Sequence, residues 1–423
     1  MEWSEIEAAR VSLGIPGAAV GVLEDGDVDT WCGGVTSLAD PLPVTDTTIF
    51  QIGSISKTFA GTAALSLVGA GALDLDAPVR SYVPDLVLST PEVTEAVTMR
   101  HLLTHTSGWV GDYFGHTGYG DDALARFVAK LAKAPQLTPV GSLYSYNNTA
   151  FNLAAHVIAC VAEAPYERVV RDVILEPLGM DLTFYAAEEA INHRVAIGHR
   201  LGEGQRWQRP RAFGGAGGVL SCVRDLLTYA RFHLSFGEMH EVQSVAGSLC
   251  DWVGLVWMLD DYAGVRVVHH GGTTNGYMAD LKLVPSTGLA WVMLTNSGDH
   301  EHQLDRVIQA ALLGPDRPSL VPVAYEPPDL AQFEGHYEAV LADLRVGIDG
   351  DGLVLQVATP SRAMWNPNEE PAPAQSTRVA FREADRFVCL DAPYTGHRGE
   401  FVRGDGGQIA WLRWDGRIAR PIS

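Results

Sequence analysis

A serine three residues before a lysine, at the start of a long apolar run, restricts more than any other feature how this chain folds. The stretch reads Phe50-Gln51-Ile52-Gly53-Ser54-Ile55-Ser56-Lys57-Thr58-Phe59, and residues 58–68 are almost wholly apolar or small. Such a run predicts a buried helix. Residues i and i+3 share a helix face, so we expect the Ser54 hydroxyl and the Lys57 ammonium to point into the same space.

This spacing suits a nucleophile and its base. A lysine in apolar surroundings loses the solvation of its charged form, so its pKa falls and it can accept the proton of a serine hydroxyl. The alternative is that Ser54 only caps the helix while Lys57 extends into solvent, because Ser-x-x-Lys also occurs by chance. Further motifs are needed to separate the two interpretations.

Length and charge restrict the classes of protein. The 423 residues exceed what one hydrophobic core usually holds, so we expect more than one domain. The net charge is −21, from 51 acidic and 30 basic side chains, and no block is rich in lysine or arginine. We therefore expect no nucleic-acid and no membrane partner.

The N-terminus and the cysteines indicate a cytoplasmic protein without a metal site. Residues 1–7 lack the basic start and apolar core of a secretory signal, and no segment is long and apolar enough to span a bilayer. Five scattered cysteines predict buried thiols rather than a disulfide scaffold. His101 and His105 are spaced i and i+4 without an adjoining glutamate or third ligand, so we expect no metal and no cofactor.

Residue patterns predict a mixture of helices and strands before residue 314. Asp25-Gly26 between two β-rich runs predicts a hairpin over residues 17–35. Glycine-rich residues 213–220 do not fit G-x-G-x-x-G, so we expect a tight loop and no nucleotide site. The remaining predicted elements are helices over 223–234 and 304–313 and strands over 264–269, 278–284 and 289–296.

The composition changes after residue 314. Four prolines between 318 and 328 predict a linker over residues 317–329. Beyond the linker, short alternating runs separated by turns predict a small antiparallel barrel or sandwich over residues 330–423, with a loop at 365–374.

Two further motifs stand between the serine motif and the linker. Tyr146-Asn147-Asn148 lies where a polar turn leads into an apolar helix, and His270-Gly271-Gly272 follows a predicted strand. In the alternative interpretation, Asn147 or Asn148 is only a helix cap and Tyr146 a packing residue. Glycines in the interior of a strand often mark close approach by a ligand or another backbone; in the alternative interpretation they mark a bulge or a hairpin turn.

In chain order, these three motifs resemble those of the serine β-lactamase and penicillin-binding protein superfamily. The resemblance is to its class C-like branch, which includes D-aminopeptidases, carboxypeptidases, esterases and transacylases. It extends to the blocks at 99–108 and 217–226 and covers roughly residues 10–313. It implies an α+β fold for residues 1–316, with an antiparallel sheet flanked by helices and a mainly helical subdomain. The segment from about residue 330 is similar to β-barrel domains appended to some members, which could cover the cleft.

The resemblance also implies residue roles. Ser54 would attack an acyl carbon, and Lys57 and Tyr146 would share the transfer of its proton to the leaving group. Asn148 would orient Lys57 and a substrate carbonyl. The backbone amides of Ser54 and Thr273, with Gly272 before the latter, would form an oxyanion hole.

One departure from the family pattern bears on the substrate. His270 stands where β-lactamases usually carry a lysine, and a histidine is neutral much of the time near pH 7. This weakens a β-lactamase interpretation.

We therefore expect a serine hydrolase that acts on a small-molecule ester or amide. The alternatives are a transacylase with an amine or alcohol acceptor, a D-amino acid peptidase or β-lactamase, and a sensor that traps an acyl group on Ser54. Loops 109–122 and 250–263 would decide whether water or another acceptor reaches the acyl group. Trp109, Tyr113, Trp252 and Trp257 are candidates for lining a pocket there.

Overall fold

The fold combines a helix-flanked antiparallel sheet with a closed C-terminal barrel, as predicted. It is a computed structural model that describes residues 1–112, 115–207, 209–262, 264–300, 302–314, 325, 329–358 and 373–422. Within these ranges, the large sheet has eight strands in the order β2-β1-β12-β11-β10-β9-β8-β7. The strands before residue 314 are β1 (Gly17–Glu24), β2 (Asp27–Gly34), β3 (Phe50–Gln51), β4 (His199–Arg200), β5 (Glu203–Gly204), β6 (Leu220–Ser221), β7 (Ser244–Val245), β8 (Trp252–Val253), β9 (Met258–Tyr262), β10 (Val265–Thr274), β11 (Tyr277–Val284) and β12 (Leu289–Thr295).

Helices cover both faces of this sheet. On one face, Ile6 and Ile308, from the first and the last helix before residue 314, pack with Trp291 of the sheet. On the other face, Leu227 packs with Leu281. The helices are α1 (Trp3–Ser12), α2 (Ser56–Gly69), α3 (Pro91–Ala96), α4 (Met99–Leu103), α5 (Ala123–Val128), α6 (Asn148–Ala162), α7 (Tyr166–Val170), α8 (Glu176–Leu178), α9 (Ala187–Ala190), α10 (Gly214–Gly217), α11 (Val223–Leu234) and α12 (Gln303–Leu313).

Helix α2 lies in the interior, as its apolar sequence predicts. Every residue from Ser56 to Leu65 is buried. A helix that is apolar on all sides has no face for solvent and is stable only when other elements surround it. The first turn of α2, which carries Lys57, is therefore shut off from water.

Strand β10 is longer than its sequence pattern predicted. The prediction ended it at residue 269, but the strand continues to Thr274, and the hairpin turn follows it. Gly271 and Gly272 are therefore strand residues rather than turn residues. The other predicted elements lie within a few residues of the observed ones, except that part of the predicted loop at 213–220 forms α10 and β6.

The C-terminal strands close into an antiparallel barrel. Its core contains Phe333, Phe381, Phe387 and Phe401, with ring centroids of Phe333 and Phe401 4.7 Å apart. The strands are β13 (Gly335–Ala339), β14 (Ala342–Asp349), β15 (Gly352–Ala358), β16 (Gln375–Glu383), β17 (Arg386–Cys389), β18 (Arg398–Arg403), β19 (Ile409–Trp414) and β20 (Arg417–Ile422).

Several expectations concern features outside these elements. Apart from Tyr325 and Asp329, the predicted linker at 317–329 lies outside the described residues, as does most of the predicted loop at 365–374. All five cysteines are free; Cys222, Cys250 and Cys389 are buried as predicted, whereas Cys160 is exposed. Among the described helices, none combines the length and the apolar character needed to cross a bilayer.

A buried ion-pair network joins the barrel to the rest of the protein. Arg398 of β18 lies 2.5 Å from Asp251 and 3.2 Å from Asp260, and its side chain is 9% exposed. It also donates a hydrogen bond to Leu249 O. Two carboxylates and a carbonyl therefore satisfy one guanidinium at the domain contact.

Removing this arginine should destabilise the protein strongly. Arg398→Met takes the guanidinium away from the buried carboxylate of Asp260 and the partly exposed carboxylate of Asp251, so we expect the free energy of unfolding to fall by about 3–5 kcal/mol. Arg420→Met, which removes an exposed ion pair with Glu338 on the same barrel, should cost less than about 1 kcal/mol. Denaturant titrations followed by tryptophan fluorescence test this; equal losses in both variants would contradict it.

Candidate active site

The residue before Ser54 has a backbone conformation that favours glycine. Gly53 has φ +53°, in the left-handed region, and residues 53–55 form a single 3₁₀ turn that leads into α2. Ser56 Oγ donates to Gly53 O (2.6 Å) and accepts from Val219 N (2.9 Å). Ser56 thus holds the turn in place, while the side chain of Ser54 stays partly exposed.

Lys57 lies beside Ser54 and is fully buried. Its Nζ is 3.0 Å from Ser54 Oγ and donates a hydrogen bond to Ala216 O (2.7 Å). Burial lowers the pKa of Lys57 well below 10.5; the Arg417 charge lowers it further, and the Asp112 charge opposes both. A neutral amine in this position can accept the Ser54 proton.

Tyr146 completes a cluster of three side chains around Ser54. Its phenol hydrogen bonds to Ser54, and Lys57 Nζ lies 4.9 Å from the centre of its ring. The His105 ring stacks on the other side at 4.4 Å. Burial raises the pKa of Tyr146 far above its ordinary value, so the phenol keeps its proton at neutral pH.

Asn147 and Asn148 have different tasks. Asn147 caps α6, because its Oδ1 accepts a hydrogen bond from Ala150 N (2.8 Å). The side chain of Asn148 donates to Asp112 Oδ1 (2.8 Å). We expected Asn148 to orient Lys57 and a substrate carbonyl, which stays a prediction; the observed contact of its side-chain N–H is with Asp112, the carboxylate that also pairs with Arg417.

A turn of the barrel reaches this cluster. Asp415 and Gly416, both with positive φ, form the tight hairpin turn between β19 and β20. Gly416 O accepts a hydrogen bond from Tyr146 N (2.8 Å), and a methyl group at Gly416 would lie 3.4 Å from Tyr146 Cβ. Arg417, the next residue, pairs with Asp112 at 2.6 Å and lies 5.0 Å from the Tyr146 ring centre. The barrel therefore contributes directly to the surroundings of the phenol.

His270 of β10 faces the same cluster as a neutral ring. Its Nδ1 lies 2.7 Å from Gly271 O, which can only accept, so Nδ1 carries the proton and Nε2 has a lone pair. Burial and the nearby Lys57 lower the pKa of His270 to about 3. Nε2 is buried and makes no hydrogen bond to a described residue.

Strand β10 touches the Ser54 turn at two glycines. A methyl group at Gly272 would come within 2.0 Å of Ile52 O and 3.0 Å of Ser54 N, and one at Gly53 within 2.9 Å of Thr273 N. This approach is possible only without side chains. It brings the backbone amides of Ser54 and Thr273 to the same small region, beside the hydroxyl of Ser54.

The structure thus brings together Ser54, Lys57, Tyr146, His270, Gly272 and the backbone of Thr273. The Thr273 side chain points elsewhere, towards His302 (3.3 Å). Sequence analysis missed Asp112 and Arg417 as individual residues, although loop 109–122 was expected to bind ligands. The Asp-Gly pair at 415–416 is a hairpin signal in the sequence, but the sequence does not indicate that this turn contacts Tyr146.

Other residues singled out in the sequence have structural tasks. Trp109 and Trp257 are buried, Trp252 stacks on Arg266, and Tyr113 lies outside the described residues. His101 completes a capping box with Thr98, and His105 supports Tyr146 and accepts from Asn147 N. In the described part of the chain, no three His, Cys, Asp or Glu side chains cluster as a metal would require.

Asp112 and Arg417 should move the acid limb of the pH–rate profile in opposite directions. Removing the carboxylate in Asp112→Asn takes away the charge that raises the pKa of Lys57, so the limb should move to lower pH. Arg417→Met removes a charge that lowers this pKa, so the limb should move to higher pH. The measurement is kcat/KM for an activated ester from pH 4 to 10.

Asp415→Asn is the matched control. Asp415 also pairs with Arg417, at 3.4 Å, but its side chain is 60% exposed and solvent screens it. This variant should leave the limb nearly where it is in the unmodified protein. Shifts of the same sign in Asp112→Asn and Arg417→Met would contradict the proposed electrostatics.

Known proteins are similar to this chain in fold and in sequence. The beta-lactamase family model matches residues 4–313. Penicillin-binding protein 4 of Amycolatopsis lactamdurans is 33% identical over 369 residues, which cover 79% of this chain and 97% of that protein. SurE, solved alone (TM-score 0.78) and with D-Leu (0.76), is 25% identical, with 99% of this chain and 98% of SurE covered. The octameric penicillin-binding protein homologue from Pyrococcus abyssi is also 25% identical, with a TM-score of 0.67 over the full length of both chains. The chain belongs to the beta-lactamase family.

Proposed function

We propose that this protein is a serine hydrolase or acyltransferase that processes a small-molecule ester or amide through an acyl-Ser54 intermediate. The observation that carries the proposal is the 3.0 Å distance between Ser54 Oγ and the Nζ of a buried lysine whose pKa is lowered. Membership of the beta-lactamase family agrees with hydrolytic chemistry but leaves the substrate open.

In the acylation step, Lys57 accepts the Ser54 proton while Oγ attacks the acyl carbon. The carbonyl oxygen becomes an oxyanion, which the Ser54 and Thr273 amides stabilise; loss of one such donor typically costs about 100- to 1000-fold in rate. When the tetrahedral intermediate collapses, the bond to the leaving group breaks, and Tyr146 donates a proton to that group. Lys57 returns its proton to the phenol, so the cluster ends the step in its starting state.

In the second step, water or an alcohol or amine attacks the acyl-enzyme and gives the acid, ester or amide. The lone pair on His270 Nε2 supports the transacylase alternative, because it can accept a hydrogen bond from an incoming O–H or N–H group. The solved complex of SurE with D-Leu supports including D-amino acid amides among the substrates and D-amino acids among the acceptors. Because His270 is neutral, it lacks the permanent charge that suits the carboxylate of a penicillin.

Ser54→Ala should abolish labelling by a fluorophosphonate probe and reduce turnover of p-nitrophenyl esters at least about 1000-fold, since the nucleophile is lost. Ser66→Ala, at an exposed position of the same helix, is the control and should behave like the unmodified protein. Retained labelling in Ser54→Ala would contradict the assignment of Ser54 as the nucleophile. Labelling of the unmodified protein without multiple turnovers would favour the acyl-trapping sensor.

The pH–rate profile should rise through an apparent pKa well below 10.5. Lys57 must be neutral to act, and burial lowers its pKa, whereas the raised pKa of Tyr146 keeps the phenol protonated. The observed value belongs to the coupled pair. Tyr146→Phe should lower kcat by about 100- to 10,000-fold, most for poor leaving groups that need a proton. An ascending limb near 10.5 would contradict the role of Lys57.

A further inference from the structure

Arg209 lies next to the Ser54 turn but has no part in the mechanism above. It leads into α10, whose Ala216 O accepts from Lys57. A methyl group at Gly217 would lie 3.6 Å from Arg209 Nη1 on one side and 3.8 Å from Gly53 C on the other. The guanidinium and the residue before the nucleophile therefore border the same glycine.

Among the described residues, no carboxylate pairs with this guanidinium. Its Nη2 is shielded from solvent and makes no hydrogen bond to any described residue. Three other largely buried arginines each pair with a carboxylate: Arg398 with Asp251, Arg413 with Glu400 and Arg417 with Asp112. Burial lowers the pKa of Arg209 to about 10, which leaves it charged at neutral pH.

A guanidinium group without a counter-charge costs stability where it is shielded from solvent, and Arg209, which is partly exposed as a residue but shielded at Nη2, bears part of this cost. Removing the partner of a buried ion pair typically costs about 3–5 kcal/mol, because the remaining charge keeps its desolvation penalty. A ligand that brings a carboxylate would remove this penalty, and two parallel N–H groups of a guanidinium match carboxylate geometry. Arg209 is therefore suited to an anion that arrives with the substrate.

The position of Arg209 indicates which part of the substrate it meets. The charges that act on Lys57 are Arg417 and Asp112, on the side of Tyr146, where the leaving group takes its proton. Arg209 instead acts on Tyr277, at the start of β11. Because Tyr146 protonates the leaving group, we assign the acyl portion of the substrate to the Arg209 side of Ser54, away from Tyr146.

We propose that Arg209 forms a carboxylate-binding subsite for the acyl portion of the substrate, so that the preferred acyl donors carry an anionic group beyond the scissile carbonyl. This inference rests on the proposed function. It also assigns a source of positive charge to a site whose His270 is neutral. Arg209 is a specificity-determining residue in this scheme, since it touches the substrate away from the reacting atoms.

The test uses the full-length protein and the mono-p-nitrophenyl esters of succinic, glutaric and adipic acid, which keep one free carboxylate. Each is compared with the corresponding p-nitrophenyl methyl diester, in which that carboxylate is a methyl ester. The three lengths sample the reach from Ser54 to the guanidinium. For the best of them, kcat/KM should exceed that of the methyl ester about 10- to 100-fold, the range of a charge-assisted hydrogen bond. Arg209→Gln should remove this preference and change kcat/KM for the methyl esters less than about threefold.

Two variants and one further readout separate this role from a structural one. Arg209→Lys keeps the positive charge but lacks the two parallel N–H groups of the guanidinium, so it should retain part of the preference. Arg206→Gln, at an exposed neighbouring position, should retain all of it. Thermal unfolding of Arg209→Gln should occur at the same or a higher temperature, because a buried unpaired charge is lost.

Three outcomes would overturn the inference. They are no preference for any monoacid in the unmodified protein, equal losses for acids and methyl esters in Arg209→Gln, and a preference for the monoacids that Arg209→Gln retains in full. The proposed function fails differently: no ester would then be turned over in a Ser54-dependent manner, whereas failure of the subsite alone leaves methyl-ester turnover intact.

Discussion

The desolvation of one amine sets the chemistry of this protein. Lys57 lies in the first turn of a helix that is buried on all sides, and its pKa falls because water cannot reach the ammonium form. Its remaining polar contacts are a carbonyl, Ala216 O, and the Ser54 hydroxyl, neither of which is an anion. The interior around α2 therefore favours the neutral form of this amine, as the proposed role of Lys57 as a base requires.

A second constraint is the contact between backbone segments at Gly53 and Gly272. The Ser54 turn is fixed from one side by Ser56, which joins Gly53 to Val219, and from the other by strand β10. Strand β10 is hydrogen bonded to β11 along residues 268–274, which include Gly272 and Thr273, and to β9 along residues 265–269. The amides proposed to stabilise an oxyanion are thus held by rigid elements rather than by a loop, as electrostatic stabilisation of a transition state requires.

Sequence analysis predicted the parts of this arrangement that depend on local patterns. The apolar run after Ser54 predicted a buried helix, and the alternating runs after residue 330 predicted an all-β domain, because burial repeats with the period of each element. The predicted end of strand β10 at residue 269 was wrong, because the sequence alone left open whether Gly271 and Gly272 form a turn or a strand that another backbone approaches closely. The hydrogen bond from Asn148 to Asp112 was not predicted for a similar reason. Arg417, which pairs with Asp112, is 269 positions beyond Asn148 along the chain, and no periodicity reports such a contact.

The hairpin turn at Asp415 and Gly416 brings the C-terminal barrel into contact with Tyr146 of the first domain. Tyr146 belongs to the first core by sequence, yet its backbone N–H is satisfied by Gly416 O of the barrel, and its ring lies beneath Arg417. If the barrel separated from the rest of the chain, a buried amide would lose its acceptor and Asp112 would lose its cation. The side chains around Tyr146 therefore have their full set of contacts only when both domains are folded and docked, so the stability of the barrel and the geometry of the proposed site are coupled.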